Sequence, residues 1–438
     1  MKTKTLSILI IIFTLQLNAQ QILTKKEALQ LALENNYGIK LANNNVKIAE
    51  NNSSIYNSRF LPTVSFNTGT NYNNSNLDIE NHDGSNLKVN GAETKTYNAS
   101  VNVNYIIFDG LGRKYNYQQL KQTYNLSELQ TKATIENTYL QLFNMYYQIA
   151  RLTENTSNLK EALSITKQRL QRAEYKYEYG QANKLEVLNA KVDINNDSIN
   201  LINANQEVKN AKRNLNLILN NKGKGLNYEV DTQVDFNDLL TYEDLLQKAN
   251  KENTIIKQAD QNIAINELNL KINKANFLPT IGLSSSYGWN KSDNPATSFQ
   301  AGSTILGLNA GINLSWNIFD GGNTKTRVNN SKIAIENQQL IKQQQTDDLE
   351  ITLHNTWDAY QNQLFILKVQ EQNIVTAQNN FERTNERFKI GQVSSVEFRQ
   401  AQVNLLNSKT AVNNAKYTAK LIEIQLLQLS GQLLDFEF

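Results

Sequence analysis

The sequence contains an internal repeat, and its two copies carry the same motifs in the same order. The motif Phe-Leu-Pro-Thr at residues 60–63 returns at residues 277–280, an offset of 217 residues. The motif Ile-Phe-Asp-Gly at residues 107–110 returns at residues 318–321, an offset of 211 residues. In each copy two alternating segments lie around and between these markers, and the second leads into a very long helical run. Membrane-length strands joined to giant helices favour a conduit over a catalyst.

Four segments alternate between apolar and uncharged polar residues, at about 63–73, 97–108, 280–290 and 306–319. A period of two with this composition fits either a soluble sandwich or a membrane barrel. Their length of about 11 residues is what a tilted membrane-spanning strand needs. Four strands cannot close a barrel, since the smallest outer-membrane barrels use about 8. If the strands span a membrane, several chains must therefore pool them, and three chains would supply twelve.

The two faces of these strands predict which residues would line a barrel lumen. Val101, Val103, Ile312 and Leu314 belong to the apolar face, which would meet lipid. The predicted lumen residues are Asn98, Ser100, Asn102, Asn104, Asn309, Asn313, Ser315 and Asn317. The connecting segments at 74–96 and 291–303 are rich in Asn, Ser, Asp and Gly, so they are predicted to be solvated loops.

Two runs without glycine or proline predict unusually long helices. The first extends from Lys114 to Tyr179 and the second from Lys325 to Ile390. As a continuous helix, either run would reach about 100 Å. Each run stops at a glycine, which favours a left-handed cap and a return helix. Each half is thus predicted to be helix, strand, strand, long helix, turn, helix, with an opening helix that continues to about residue 59 or 276.

These patterns predict the following organisation. Residues 1–19 are a secretory signal peptide, because a basic start precedes an apolar run and a small residue. The first repeat covers 20–221, with its helical hairpin at about 110–221. An inter-repeat linker, or equatorial region, covers 222–239. The second repeat covers 240–438, with its hairpin at about 321–430.

Composition excludes several functions. The chain has no cysteine, so thiolate metal sites and cysteine nucleophiles are excluded. The formal net charge is only +3, which gives no electrostatic case for binding nucleic acid. His82 and His354 are the only histidines, and they form no paired metal motif. We therefore predict no catalytic residues, no metal site, no cofactor and no enzymatic activity.

The order of motifs closely resembles the TolC-like outer-membrane efflux protein family across the whole mature chain. The resemblance is carried by the segment 29–36 with its weaker echo at 246–249, by both Phe-Leu-Pro-Thr elements, by both Phe-Asp-Gly turns and by both glycine tips. It implies a mainly α-helical fold with a small β-barrel portion. Three chains would form a twelve-stranded barrel in the outer membrane of a Gram-negative bacterium, surrounded by lipid. Their helices would form a tunnel that extends into the periplasm.

The resemblance also implies partners and sites. The homotrimer would receive substrate from an inner-membrane pump through a periplasmic adaptor, which engages the helical tips. Those tips correspond to Gly180, Gln181, Gly391 and Gln392. Family members often place an acid six residues after the tip glycine, at the pore entrance, and here Glu186 and Glu397 occupy that position.

This sequence departs from the family at other entrance positions. Gln400 stands where some members have a second acid. Phe388 and Val393 stand where a tyrosine and an arginine help to hold some members shut. We therefore predict fewer acidic residues around the pore entrance and a closed state that is held by other contacts.

The sequence favours the exit duct of a tripartite efflux or type I secretion system. One alternative is a periplasmic adaptor or scaffold with coiled-coil hairpins and a soluble β-domain. The two hairpins and only four strands disfavour it, since an adaptor would normally carry one hairpin. A second alternative is a secreted pore-forming protein, which would be soluble before insertion. The cargo, the pump and the adaptor are not specified by the sequence.

Overall fold

The computed structural model describes residues 21–221, 225–237 and 239–436, so the predicted signal peptide lies outside the described residues. The chain divides into two compact units, each built from both copies. The sheet unit comprises 45–128 and 259–342. The hairpin unit comprises the described residues up to Asn44, then 129–258 and those from Gln343 onward.

Both copies contain the predicted order of elements. The first copy consists of β1 (Gln21–Leu23), α1 (Lys25–Asn35), α2 (Tyr37–Asn52), β2 (Thr63–Glu80), β3 (Asn86–Phe108), α3 (Gly112–Glu178) and α4 (Lys184–Ile218). The second consists of β4 (Tyr228–Val230), α5 (Tyr242–Glu252), α6 (Thr254–Ala275), β5 (Thr280–Asp293), β6 (Gly302–Ser315), α7 (Asn323–Lys389) and α8 (Ser395–Leu429). Helices α3 and α7 each have 67 residues, as the two long runs without glycine or proline predict.

In the sheet unit the four long strands form one antiparallel sheet in the order β2-β3-β5-β6. The register aligns like with like. Ser65, Asn102, Ser286 and Asn309 form one row across all four strands, and the adjacent row is Phe66, Val101, Tyr287 and Leu308. Because successive side chains point to opposite faces, the sheet has one face with polar rows and one with apolar rows. We call these the polar face and the apolar face.

The first strand pair is longer than the sequence predicts. The segment 74–96 is not a loop, because β2 continues to Glu80 and β3 begins at Asn86. Since β3 pairs with β5 only as far as Lys95, the ends of β2 and β3 project as a two-stranded ribbon. In the second pair, likewise, β5 reaches Asp293 and leaves only 294–301 as loop. The composition of these segments predicts loops because Asn, Asp and Ser favour turns. The same residues are tolerated in strands whose two faces are both exposed to water.

The last strand lies four residues earlier than the sequence predicts, at Gly302–Ser315 instead of about 306–319. β6 ends at Ser315, so Asn317 is not a strand residue, although residues 316–319 keep the alternating pattern. Ser315 pairs with Thr280, and the next residue along the partner strand is Pro279. Proline has no N–H to continue the ladder. The Trp316 side chain instead donates Nε1–H to the Phe277 carbonyl, at 3.0 Å.

The opening helix of each copy is broken, a feature that the sequence pattern does not predict. The break falls at Asn36 between α1 and α2, and at Asn253 between α5 and α6. Each Asn Oδ1 accepts from the N–H groups that start the next helix, at 2.8 and 3.2 Å for Asn36 and at 2.9 and 3.3 Å for Asn253. Each Nδ2 donates 2.9 Å to the end of the return helix, at the Ile218 or Leu429 carbonyl. Asparagine thus caps one helix and ties it to another, without glycine or proline to signal the break.

The core of the hairpin unit lies along the middle of its long helices. Four apolar residues of α3, spaced three or four positions apart on one helix face, are buried, namely Tyr139, Leu142, Tyr146 and Ile149. The Tyr146 hydroxyl donates 2.6 Å to the Leu23 carbonyl of β1, which pairs in parallel with β4. These bonds fasten the short equatorial strands to the helices. In the described part of the chain, no helix is long and apolar enough to cross a membrane.

Candidate functional sites: the hairpin tips and the sheet

The two hairpin tips share one backbone design. Gly180 and Gly391 adopt φ values of +71° and +77°. After them, the N–H groups of Gln181 and Gln392 reach back to the Lys176 and Arg387 carbonyls, at 2.7 and 2.9 Å. This is a Schellman cap, which ends a helix with a left-handed residue. The return helices then begin at once, so each tip is a tight, rigid reversal that presents its side chains outward.

Apolar side chains are exposed at matching positions of the two tips. Tyr179 is 79% exposed and its counterpart Ile390 is 69% exposed. Leu185 is 61% exposed and its counterpart Val396 is 70% exposed. Each pair is related by the 211-residue repeat offset. The repeat thus places exposed apolar side chains at equivalent positions of both tips. We call these four residues the tip patch.

The predicted entrance acids lie in the first turns of the return helices. Glu397 completes a capping box, because its carboxylate accepts 2.8 Å from the Ser394 N–H and 2.9 Å from the Ser394 hydroxyl. These hydrogen bonds lower the pKa of Glu397, so its charge persists to lower pH. Glu186 lies in the equivalent turn behind Asn183, which caps α4. Gln400 is exposed and donates 2.8 Å to Asn404.

Phe388, in contrast, is buried near the second tip. It is only 8% exposed and stacks on Phe398 with ring centroids 4.6 Å apart. Arg172 and Lys176, from the first hairpin, lie 5.9 and 5.6 Å from the Phe388 ring centroid. Phe388 therefore contributes to the contact between the two hairpins through packing and cation–π attraction.

A polar cluster that the sequence pattern does not predict joins the two hairpins. Arg399 of α8 donates to both carboxylate oxygens of Asp197 on α4, at 2.6 and 2.8 Å. Asp193, one turn earlier, pairs with Arg169 of α3. Gln402 donates 2.8 Å to the Ala162 carbonyl of α3 and 3.0 Å to the Thr166 hydroxyl. We call Thr166, Arg169, Asp193, Asp197, Arg399 and Gln402 the interhairpin clamp.

The clamp is largely buried and stereochemically specific. Asp197 is 3% exposed and also accepts 2.7 Å from the Thr166 hydroxyl. A bidentate Arg–carboxylate contact with supporting donors is among the strongest polar contacts in proteins. The only signal in the sequence was an acidic pair four residues apart on α4, which by itself predicts a wet helix face. The residues of α8 in the clamp lie far along the sequence from those of the first hairpin; Asp197 and Arg399, for example, are 202 residues apart.

In the sheet, the predicted lumen residues of β3 and β6 all lie on the polar face, with the exception of Asn317 beyond the end of β6. Asn102 donates 3.1 Å to the Ser100 hydroxyl, which confirms that these two side chains share a face. The outer edges of β2 and β6 have no partner strand within the described chain. Unpaired strand edges are not tolerated in lipid, so this sheet is incomplete as a membrane element on its own.

Comparison with known proteins agrees with this architecture. The sequence model of the family described as "Outer membrane efflux protein" matches residues 28–221 and, a second time, residues 245–432. The chain is 21% identical over 321 residues to the outer membrane protein TolC of Vibrio cholerae, covering 70% of each protein. Its fold is similar to the CmeC outer membrane channel of Campylobacter jejuni, with a TM-score of 0.79, 18% identity, and 93% and 86% of the two chains covered. It is also similar to the open MtrE channel of Neisseria gonorrhoeae, with a TM-score of 0.67, 16% identity, and 93% and 89% covered.

The two matched segments are the two repeats, and together they account for most of the chain. The protein belongs to the outer membrane efflux protein family. It is an outer-membrane efflux duct of tripartite systems, located in the outer membrane of a Gram-negative bacterium and extending into the periplasm. TolC-like channels of this family are trimers that work with adaptor and pump partners. The protein is therefore a transport channel. Its family membership favours this class over the adaptor-scaffold and the secreted pore-forming protein.

Proposed function

We propose that three copies of this chain close one twelve-stranded barrel by pairing β6 of each copy with β2 of the next. The observation that carries this proposal is the symmetry of the register. Thr63 pairs with Asn104 in the first copy and Thr280 pairs with Ser315 in the second, so the offsets of 217 and 211 residues map one strand pair onto the other. The same offsets map the contact of β3 with β5 onto a contact of β6 with a neighbouring β2.

This mapping specifies the register between copies. Asn98 pairs with Asn290 inside the chain. Adding 211 to the first and subtracting 217 from the second sets Asn309 of one copy opposite Asn73 of the next. Both side chains belong to the polar face, which faces the lumen in this arrangement. The predicted lumen row of the barrel then continues unbroken around all three copies.

Cysteine cross-linking tests this register. Because the chain has no native cysteine, Asn73→Cys/Asn309→Cys should form only the designed disulfide. Directly opposed residues of neighbouring strands have Cβ atoms about 5 Å apart, within reach of a disulfide after small adjustments. We expect oxidation of outer-membrane vesicles to give covalent dimers and trimers on denaturing gels.

A register-shifted variant is the matched control for this experiment. In Asn67→Cys/Asn309→Cys the sulfur atoms would be displaced by six residues, or about 20 Å along the strand. This variant should stay monomeric on denaturing gels. If both variants cross-link equally, or if neither does, the proposed contact between β6 and β2 is wrong.

We further propose that the tip patch and the tip residues Gly180, Gln181, Gly391 and Gln392 bind the periplasmic adaptor. Two observations support this proposal: the rigid Schellman caps and the matched exposed apolar pairs. In a closed trimer the two tips of each copy would alternate around the tunnel end. They would offer six similar docking surfaces for adaptor hairpins.

Charge substitution in the tip patch tests adaptor binding. Removing a buried apolar hot spot costs about 2 kcal/mol, or about 30-fold in affinity. We therefore expect Ile390→Glu to reduce the adaptor that co-purifies with the tagged channel from its native cells, and to abolish efflux. Ile390→Leu, which keeps an apolar side chain, should behave as wild type. Normal co-purification of adaptor with Ile390→Glu, at normal outer-membrane levels, would remove this patch from the interface.

Glu186 and Glu397 are proposed to supply the negative charge of the pore entrance. Their equivalent positions support this role, and the capping hydrogen bonds keep Glu397 ionised. Glu397→Gln keeps most of the cap while removing the charge. We expect it to reduce cation selectivity in single-channel recordings, and an unchanged reversal potential in a salt gradient would argue against the role.

A further inference from the structure

A cavity lies in the sheet unit where the four strands meet the helices. Its volume is about 610 Å³. It is bounded by the region before β2, the end of β3, the start of β5 and the end of β6. Its lining includes Arg59, Arg113, Arg327, Asp109, Thr280 and Ser315. We call it the junction cavity.

The junction cavity opens on the polar face of the sheet. Thr280 and Ser315 pair directly with each other. Each lies two residues from a polar-face position, Gly282 and Asn313 respectively, which also pair. Because side chains two residues apart in a strand share a face, Thr280 and Ser315 continue the polar rows to the base of the sheet. Asn317, just beyond β6, also lines the cavity.

One of the three arginines uses its guanidinium group in hydrogen bonds to other groups of the protein. Arg113 is buried and donates to the Asp109 carboxylate at 3.2 Å, to the Arg59 carbonyl at 3.2 Å and to the Ile107 carbonyl at 3.3 Å. It also lies 5.3 Å from the Phe60 ring centroid. These contacts fix the wall of the cavity and neutralise the charge of Asp109.

The other two arginines leave positive charge in the cavity. Arg59 and Arg327 are exposed, and Arg327 donates 3.2 Å to the Thr324 hydroxyl. Asp320, an acid outside the lining that interacts electrostatically with Arg327, caps α7 and accepts from the Thr324 N–H and hydroxyl at 2.8 and 2.6 Å. Counting Asp109 and Asp320 against the three arginines leaves one positive charge in excess per chain.

The backbone of Arg59 is held in an uncommon conformation at the cavity wall. Its φ is +63°, a left-handed conformation that is uncommon for residues other than glycine. The Arg59 carbonyl accepts from Arg113, so the strained residue is tied to the cavity wall. Strain of this kind persists only where the surroundings impose it, and it concentrates at binding sites.

We propose that the junction cavity binds the phosphate or carboxylate group of a soluble anion inside the channel. The guanidinium groups of Arg59 and Arg327 supply forked donors that suit such groups, while Thr280 and Ser315 offer hydroxyl groups. The proposal rests on the lumen orientation of the polar face given above. Three such cavities would surround the base of the barrel and collect anionic solutes before they leave it.

Calorimetry with inorganic pyrophosphate tests the site on the full-length protein in mild detergent. Wild type should bind pyrophosphate. Loss of a charge-assisted hydrogen bond costs about tenfold or more in affinity, so Arg59→Gln/Arg327→Gln should bind at least about tenfold more weakly. The exposed Arg383, on α7 outside the cavity, provides the control Arg383→Gln, which should bind as wild type. Absence of binding by wild type, or equal binding by the double variant, would overturn the proposal.

Native mass spectrometry of the same samples separates a soluble anion from a lipid headgroup. Wild type and the double variant should retain the same phospholipids. Loss of a phospholipid in the double variant would assign the arginines to a headgroup and overturn the lumen site. Unboiled gels on these samples report the trimer independently, so failure of the anion site and failure of the barrel give different results.

Discussion

Replacing Arg399 by alanine is expected to separate the two hairpins near their tips and to raise single-channel conductance severalfold. The substitution leaves Asp197 buried without its cationic partner, and breaking a buried ion pair in this way costs about 3–5 kcal/mol. The interhairpin clamp joins the two hairpins at this level, where Arg399 donates to both carboxylate oxygens of Asp197. Planar-bilayer recordings of the purified channel provide the measurement.

Two further variants separate a specific lock from general damage. Arg399→Ala/Asp197→Ala removes both charges, so it should recover thermal stability relative to Arg399→Ala while its conductance stays high. Arg383→Ala removes an exposed arginine outside the clamp and should conduct as wild type. If Arg399→Ala kept the wild-type conductance, the clamp would be a structural contact without a role in gating.

Replacing Gly110 by alanine is expected to prevent most molecules of the protein from folding. Gly110 has a φ of +68°, and a Cβ at this position would lie 2.5 Å from the Ala275 carbonyl oxygen and 3.0 Å from the Leu278 Cβ. A left-handed alanine costs about 1–2 kcal/mol, and overpacking against fixed backbone adds about 1–3 kcal/mol. The amount of outer-membrane protein and its unfolding temperature measure the effect.

The equivalent substitution in the second copy should act on assembly instead. Gly321 has nearly the same φ, +70°, but a Cβ added there would meet no other part of the single chain within 4 Å. In the proposed trimer, the repeat offset would place Ser58 and Leu61 of a neighbouring copy where Ala275 and Leu278 lie for Gly110. Gly321→Ala should therefore leave the chain folded and strongly reduce the trimer band on unboiled gels.

The control for this pair is Gly180→Ala. Gly180 has a φ of +71° with nothing within 4 Å of a Cβ, so this variant isolates the cost of the left-handed backbone. It should give a normal trimer. If Gly321→Ala also gives a normal trimer, the contact between copies does not repeat the contact within the chain.

The parts of the fold that depend on local periodicity could be predicted from the sequence. The two faces of β3 and the lengths of α3 and α7 follow from alternation and from the absence of glycine and proline. The tips follow from Gly180 and Gly391, because a left-handed cap needs a residue without a Cβ. These features depend on neighbours in sequence.

Features that depend on distant partners could not be predicted. Asn36 breaks a helix because its side chain also finds the Ile218 carbonyl, and nothing in the local pattern signals that contact. The β6 strand stops at Ser315 because its partner strand reaches Pro279, not because its own alternation fails. The clamp requires Asp197 and Arg399 to meet, and their helix faces resemble ordinary polar surface.

The ribbon formed by the ends of β2 and β3 has a consequence outside the cell. Because the helices extend into the periplasm, the opposite end of the sheet faces the exterior, where the turn at residues 81–85 is exposed. The ribbon extends beyond the last pairing of β3 with β5, at Lys95 and Asp293. In the proposed trimer, three such ribbons would surround the mouth of the duct. Antibodies and bacteriophages approaching an intact cell would find this surface accessible.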